Sequence, residues 1–283
     1  MNGGLIMKEV TNSDPFTIVG TEQYNMVSKM NREYRIFVSK PSEKPPASGY
    51  PVIYLLDGNS IFGTVVEAIR IQSKRPEKTG IVPAIVVGIG YPTEAPFSPH
   101  RFYDYTMAQT DQEMPFKPDG KPWPKQGGAS EFLSFIEEEL KPKIHQTLKV
   151  DSNKQTIFGH SLGGLFVLYT LFTSPRSFQS YIAGSPSLHW NERNILAKER
   201  SFMARLEREA IHAKLLIGIG ELEKEHKSNI GELAKKMSER LSFYKNRGLN
   251  VKFIQFEDEC HTSVLPPLIN KSLRFSLHSQ VDQ

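Results

Sequence analysis

From Pro51 onward the chain alternates short, nearly unbroken apolar runs with longer segments whose apolar residues recur every three or four positions. The runs Pro51–Leu56, Ala84–Ile89, Gln155–Phe158, Gln179–Ala183, Ala213–Ile219 and Val251–Phe256 predict strands. The first of them has no polar face, as a strand covered on both sides requires. Helices are expected over Ile61–Ile71, Glu131–Ile144, Leu162–Phe172 and Ser228–Asn246, and from about Ser263 to Leu277. Ahead of them, Tyr24–Ser28 and Tyr34–Val38 alternate in polarity, which predicts a hairpin at a sheet edge. Strand and helix in turn imply right-handed crossovers, hence an α/β fold with a mostly parallel central sheet and helices on both faces.

One segment breaks this rhythm. Residues 91–128 hold seven prolines and, among others, Phe97, Phe102, Tyr103, Tyr105, Phe116 and Trp123, so an insertion loop without regular structure is expected there. It follows the carboxyl end of a central strand, where open α/β sheets bind ligands. No low-complexity linker divides the 283 residues, and residues 1–283 read as one domain.

Composition narrows the function by exclusion. Thirty-five Lys and Arg against thirty-one Asp and Glu leave +4, without a basic run interleaved with aromatics, which argues against a nucleic-acid partner. No apolar run nears the roughly 18 residues that would suggest a bilayer span, and Met1–Val10 lacks the basic start of an export signal, so a cytoplasmic protein with no membrane partner is expected. Cys260 stands alone, which excludes an intramolecular disulfide and a cysteine-rich zinc site. Neither a metal nor a cofactor is expected, and oligomeric state is not legible.

Gly159-His160-Ser161-Leu162-Gly163 has the form of a nucleophile elbow, and it sits where the motif needs to be, between the strand ending at Phe158 and an apolar helix. A serine hydroxyl attacks only when a base takes its proton. The chain order of α/β-hydrolases is serine, acid, histidine, which selects His261, after the last strand and before the last helix. For the acid, Glu221, Glu223 and Glu225 compete in the loop after Ile219; Glu223 is preferred, Glu221 comes second, and a Ser-His dyad is the further alternative. Oxyanion stabilisation is expected from the backbone N–H groups of Leu162 and of Asn59, the latter in the glycine turn after Leu56.

Six blocks carry a resemblance: Leu55-Leu-Asp-Gly58, Val87-Gly-Ile-Gly90, Arg101-Phe-Tyr-Asp-Tyr-Thr106, Gly159-His-Ser-Leu-Gly-Gly164, Gly184-Ser-Pro-Ser-Leu-His-Trp190 and Cys260-His-Thr-Ser263. Together they resemble the putative-esterase branch of the α/β-hydrolases, from about Tyr24 to the C-terminal helix, and within it the esterases that open catecholate siderophore trilactones such as bacillibactin or enterobactin. The resemblance implies a serine carboxylesterase whose small-molecule substrate is an anionic siderophore, iron-loaded or iron-free, with iron as cargo. Alternatives sharing the same catalytic residues are a feruloyl or S-formylglutathione type of esterase and an acyltransferase. A ferric tricatecholate is a bulky aromatic trianion, so Arg101, Tyr103 and Trp190 are expected to line its site, with an Arg101–Asp104 ion pair as the alternative use of that arginine.

Overall fold

The computed structural model describes residues 15–108, 120, 122–225 and 230–277. Eight strands form one sheet: β1 (Thr21–Val27), β2 (Glu33–Ser39), β3 (Tyr50–Leu56), β4 (Ile85–Gly90), β5 (Val150–His160), β6 (Ser180–Gly184), β7 (Ala213–Gly220) and β8 (Leu249–Phe256). Their spatial order is β1-β2-β4-β3-β5-β6-β7-β8, with β1 and β2 antiparallel and every pairing from β4 to β8 parallel. The expected edge hairpin is thus β1–β2.

Strand β3 explains why its sequence is apolar throughout. Val52, Tyr54 and Leu56 enter one core and Ile53 and Leu55 the other, because successive side chains leave opposite faces. Helices α1 (Gly58–Gln72) and α9 (Leu265–Leu277) close the second face, through Phe62, Val65, Leu268 and Leu273. The first face is covered by α4 (Ala129–Phe135), α6 (Leu162–Thr173), α7 (Glu192–Leu206) and α8 (Ile230–Ser242), through Phe132, Phe166, Phe202 and Leu241. Two short helices, α2 (Pro76–Thr79) and α3 (Arg101–Tyr105), and α5 (Lys141–Thr147), which prolongs α4, complete the set among the described residues. No helix among them is long and apolar enough to cross a membrane.

Several boundaries differ from those expected. β5 begins at Val150 rather than Gln155, because its polar start Asp151-Ser-Asn-Lys is accommodated by a register shift against β3. Between α4 and α5 the helix widens to a π turn over Ile136–Leu140: Pro142 has no N–H to offer the carbonyl four residues back, so the ladder slips by one. The insertion is not wholly irregular, since it contains α3 and a Met107–Gly128 bridge, while residues 109–119 and 121 lie outside the described ones. The expected helix over Ser228–Asn246 ends at Ser242, followed by a turn that Gly248 closes at φ 91°; its start at Ser228 and Asn229 lies outside the described residues.

Candidate active site

The carboxyl ends of β5, β6, β7 and β8 open onto one cleft of about 590 Å³. At its floor the turn from β5 to α6 is tight enough to put Ser161 at φ 58° and ψ −118°, a strained conformation for a residue with a side chain. Two glycines permit it. A methyl group on Gly159 would come within 2.3 Å of the Gly163 carbonyl oxygen, and one on Gly164 within 2.7 Å of that of Gly184. The strain turns the Ser161 hydroxyl outward into the cleft, with the first turn of α6 directly behind it.

His261 returns to this point on the loop between β8 and α9. Its Nε2 lies 3.1 Å from Ser161 Oγ and its Nδ1 2.7 Å from Glu223 Oε2. Of the two competing glutamates whose side chains are described, Glu223 is the one brought to His261. It sits in a 3₁₀ turn over Glu221–Glu225 that buries it to 3% exposure and leaves Leu222 at 54%. Glu221 instead lies on the outside near Gln255, and the Glu225 side chain is outside the described residues. Burial would raise the Glu223 carboxyl, yet hydrogen bonds from His261, the Ser185 hydroxyl at 2.6 Å and the Gly220 N–H at 2.7 Å hold it below the ordinary glutamate value. It is therefore an acceptor-only carboxylate at neutral pH.

His160, inside the elbow motif, supports the loop from beneath. Its Nε2 lies 2.7 Å from the backbone carbonyl of His261, and since a carbonyl only accepts, the proton is on Nε2. Burial and the neighbouring His261 push its pKa down to about 4. The unfolded chain protonates near the ordinary value of about 6.5, so between the two pH values it binds more protons than the folded chain, and acid favours unfolding. Stability is complete above about pH 6.5 and falls by about 3 kcal/mol as pH 4 is approached. His160→Gln keeps a donor at the same place and should flatten melting temperature against pH over this interval; an unchanged slope would show that His160 does not supply it.

Arg101 faces the cleft but does not pair with Asp104. Its guanidinium makes a two-pronged contact to Asp57, 2.9 Å on each arm, with 3.4 Å from Nη2 to the His160 carbonyl. Asp104 is satisfied elsewhere, by Arg32 and the hydroxyls of Tyr34 and Tyr91. The arginine thus ties the left-handed Asp57 turn, which carries Asn59 into the start of α1, to the elbow that carries Leu162. Both N–H groups belong to first helical turns, which offer donors with no partner inside the helix. The Asn59 side chain is spent on the Tyr91 N–H and the carbonyls of Tyr91 and Thr93. Because Asp57 already compensates its charge, Arg101 is a poor attractor for a trianion. Arg101→Ala leaves Asp57 buried and unpaired, a loss of about 3–5 kcal/mol of stability, and should lower kcat/KM for a ferric siderophore and for p-nitrophenyl acetate together. Loss on the siderophore alone, with melting temperature unchanged, would restore the arginine to a charge-reading role.

The walls of the cleft are aromatic. Trp123 and Trp190 meet edge to face at 4.5 Å, with Phe102 at 5.5 and 5.6 Å from them. Trp190 lines the cleft, its indole N–H donating to Gln126. Tyr103 does not line the cleft: consecutive residues of α3 diverge by about 100°, which puts Phe102 inward and sends the Tyr103 hydroxyl to Glu131 at 2.9 Å. Sequence reasoning also passed over Asp57, Ser185 and Ser187, although two of the quoted blocks contain them.

Residues 27–274 match the model of the family described as putative esterase. The chain belongs to that family. It is 52% identical over 267 residues to ferri-bacillibactin esterase BesA of Bacillus subtilis (strain 168), covering 94% of this chain and 92% of that one. The crystal structure of the BES protein from Bacillus cereus superposes with a TM-score of 0.89 at 46% identity, over 95% of this chain and all of that one. Enterobactin hydrolase IroE in complex with DFP matches with a TM-score of 0.68 at 26% identity, over 92% and 95% of the two chains. This member is accordingly a serine hydrolase acting on carboxylic esters, on a mostly parallel α/β-hydrolase sheet.

Proposed function

We propose that this esterase hydrolyses the ester bonds of a catecholate siderophore trilactone of the bacillibactin or enterobactin type, in the cytoplasm, so that iron is released. The observation that carries this reading is the unbroken hydrogen-bonded chain Glu223–His261–Ser161 opening into an aromatic cleft. Likeness to a ferri-bacillibactin esterase at 52% identity supports the substrate, and the lone cysteine, Cys260, supports a reducing compartment.

Glu223 accepts from His261 Nδ1, which leaves the unprotonated Nε2 facing the serine. Ser161 Oγ attacks the ester carbonyl as its proton passes to Nε2; the carbonyl electron pair moves onto oxygen, where the N–H groups of Leu162 and Asn59 receive it. Collapse expels the alkoxide of the opened ring, which takes the proton from His261, and leaves an acyl group on Ser161. Water, deprotonated by His261, then releases the acid. Trp123, Trp190 and Phe102 supply flat surfaces for the catechol rings. Iron is carried by the substrate and takes no part in ester cleavage.

The test is incubation with bacillibactin and enterobactin, each iron-loaded and iron-free, beside feruloyl and short acyl esters. Chromatography should show the trilactones opened to linear products with the higher kcat/KM. Turnover of the simple esters with intact trilactones would replace this reading by that of a general esterase.

A further inference from the structure

Among the described residues, two hydroxyls beyond Ser161 touch the Glu223–His261–Ser161 chain, and both come from the turn that follows β6. The Ser185 N–H donates to the Gly218 carbonyl at 2.7 Å and the Ser187 N–H to the Ser161 carbonyl at 3.1 Å, which pins the turn between β7 and the elbow. Ser185 is held at φ 38°, a left-handed conformation seldom adopted by a residue with a side chain. From there its hydroxyl reaches Glu223 Oε1, while Ser187 Oγ lies 3.1 Å from Ser161 Oγ. Both serines are buried.

Counting protons fixes who donates. The Glu223 carboxylate can only accept, so His261 Nδ1 carries a hydrogen and the neutral ring offers Nε2 as an acceptor. Ser161 spends its single proton on Nε2. Its oxygen therefore faces Ser187 as an acceptor, and Ser187 is the donor.

We infer that the Ser185–Ser187 turn serves the reaction at both ends, Ser187 as a catalytic residue donating to the nucleophilic oxygen and Ser185 as a positioning residue acting through Glu223. The inference rests on the reading of Ser161 as nucleophile. As the Ser161 proton moves to His261 Nε2, the Ser187 proton stays on its own oxygen and its bond strengthens while Oγ carries the charge left by the departing proton, before the new Oγ–carbon bond passes that charge to the carbonyl oxygen. The same bond steadies that oxygen when it leaves in deacylation. At the other end, the Ser185 hydroxyl holds Glu223 Oε1 and so keeps the carboxylate's second oxygen on His261 Nδ1.

Covalent labelling of Ser161 by a fluorophosphonate reads nucleophile reactivity directly. Ser187→Ala should slow labelling and lower kcat/KM for p-nitrophenyl acetate by about tenfold or more, with the melting temperature little changed, and Ser187→Thr should restore most of both. If the alanine variant does not fold, Ser187→Cys, with its weaker donor, should label more slowly than wild type. Labelling within twofold of wild type in the folded alanine or cysteine variant, or a threonine variant as slow as alanine, overturns the role of Ser187. Ser185→Ala should slow Ser161 labelling and lower kcat for p-nitrophenyl acetate by about threefold or more with KM little changed, and Ser185→Thr should restore most of both; a labelling rate and kcat within experimental error of wild type overturn the role of Ser185. A wild-type protein that takes no label on Ser161 fails at the earlier step, the nucleophile itself.

Discussion

Ser161→Ala lowers kcat by at least about 10⁴-fold on siderophore and p-nitrophenyl acetate alike, while the melting temperature stays near that of wild type. The hydroxyl is the only part removed. Alanine keeps the Cβ and hence the strain of φ 58°, and the close approach of Gly159 and Gly164 that creates the elbow does not involve the serine oxygen. Binding should survive, because the aromatic walls are untouched, and ligand affinity measured on this variant separates recognition from chemistry. Residual turnover within tenfold of wild type would remove Ser161 as the nucleophile.

Glu223→Gln is the second large effect, a fall in kcat of about 10²- to 10⁴-fold. An amide placed between these partners has no satisfactory orientation. With its NH₂ toward the Gly220 N–H, two donors face each other; turned around, the NH₂ faces His261 Nδ1 and forces the ring proton onto Nε2, where it points at Ser161 and leaves no base. Glu221→Gln should change kcat little, since that side chain lies on the outer side of the turn. Steady-state kinetics on the two variants decides the matter. A larger loss at Glu221, or no loss at either, would replace the Glu223 assignment by the other glutamate or by a Ser-His dyad.

How far the sequence could be read follows from which signals are local. The alternation of buried runs with amphipathic segments is local, and the order of strands and helices follows it closely. The elbow is local too, as is the position of His261 after the last strand. What stayed hidden depends on how a turn projects side chains. In the 3₁₀ turn after β7 the acidic Glu223 goes in and the apolar Leu222 goes out, the reverse of what polarity suggests, so hydropathy has no power to choose among three glutamates. On α3 one step of helix rotation separates Phe102, which lines the cleft, from Tyr103, which does not. The Arg101 pairing was missed because Asp57 is 44 residues away and Asp104 only three, although the closer carboxylate is already held by Arg32, Tyr34 and Tyr91. Ser185 and Ser187 have no signature of their own; only the strained turn after β6 brings them to the two ends of the hydrogen-bonded chain.

The most direct measurement is the mass of the protein quenched during turnover of a catecholate trilactone, with the modified peptide sequenced. An acyl adduct of one opened trilactone on Ser161, present in wild type and absent from Ser161→Ala, is the predicted result. Consumption of the trilactone with the adduct on another residue, or with no trappable adduct and an equally active Ser161→Ala variant, would contradict it.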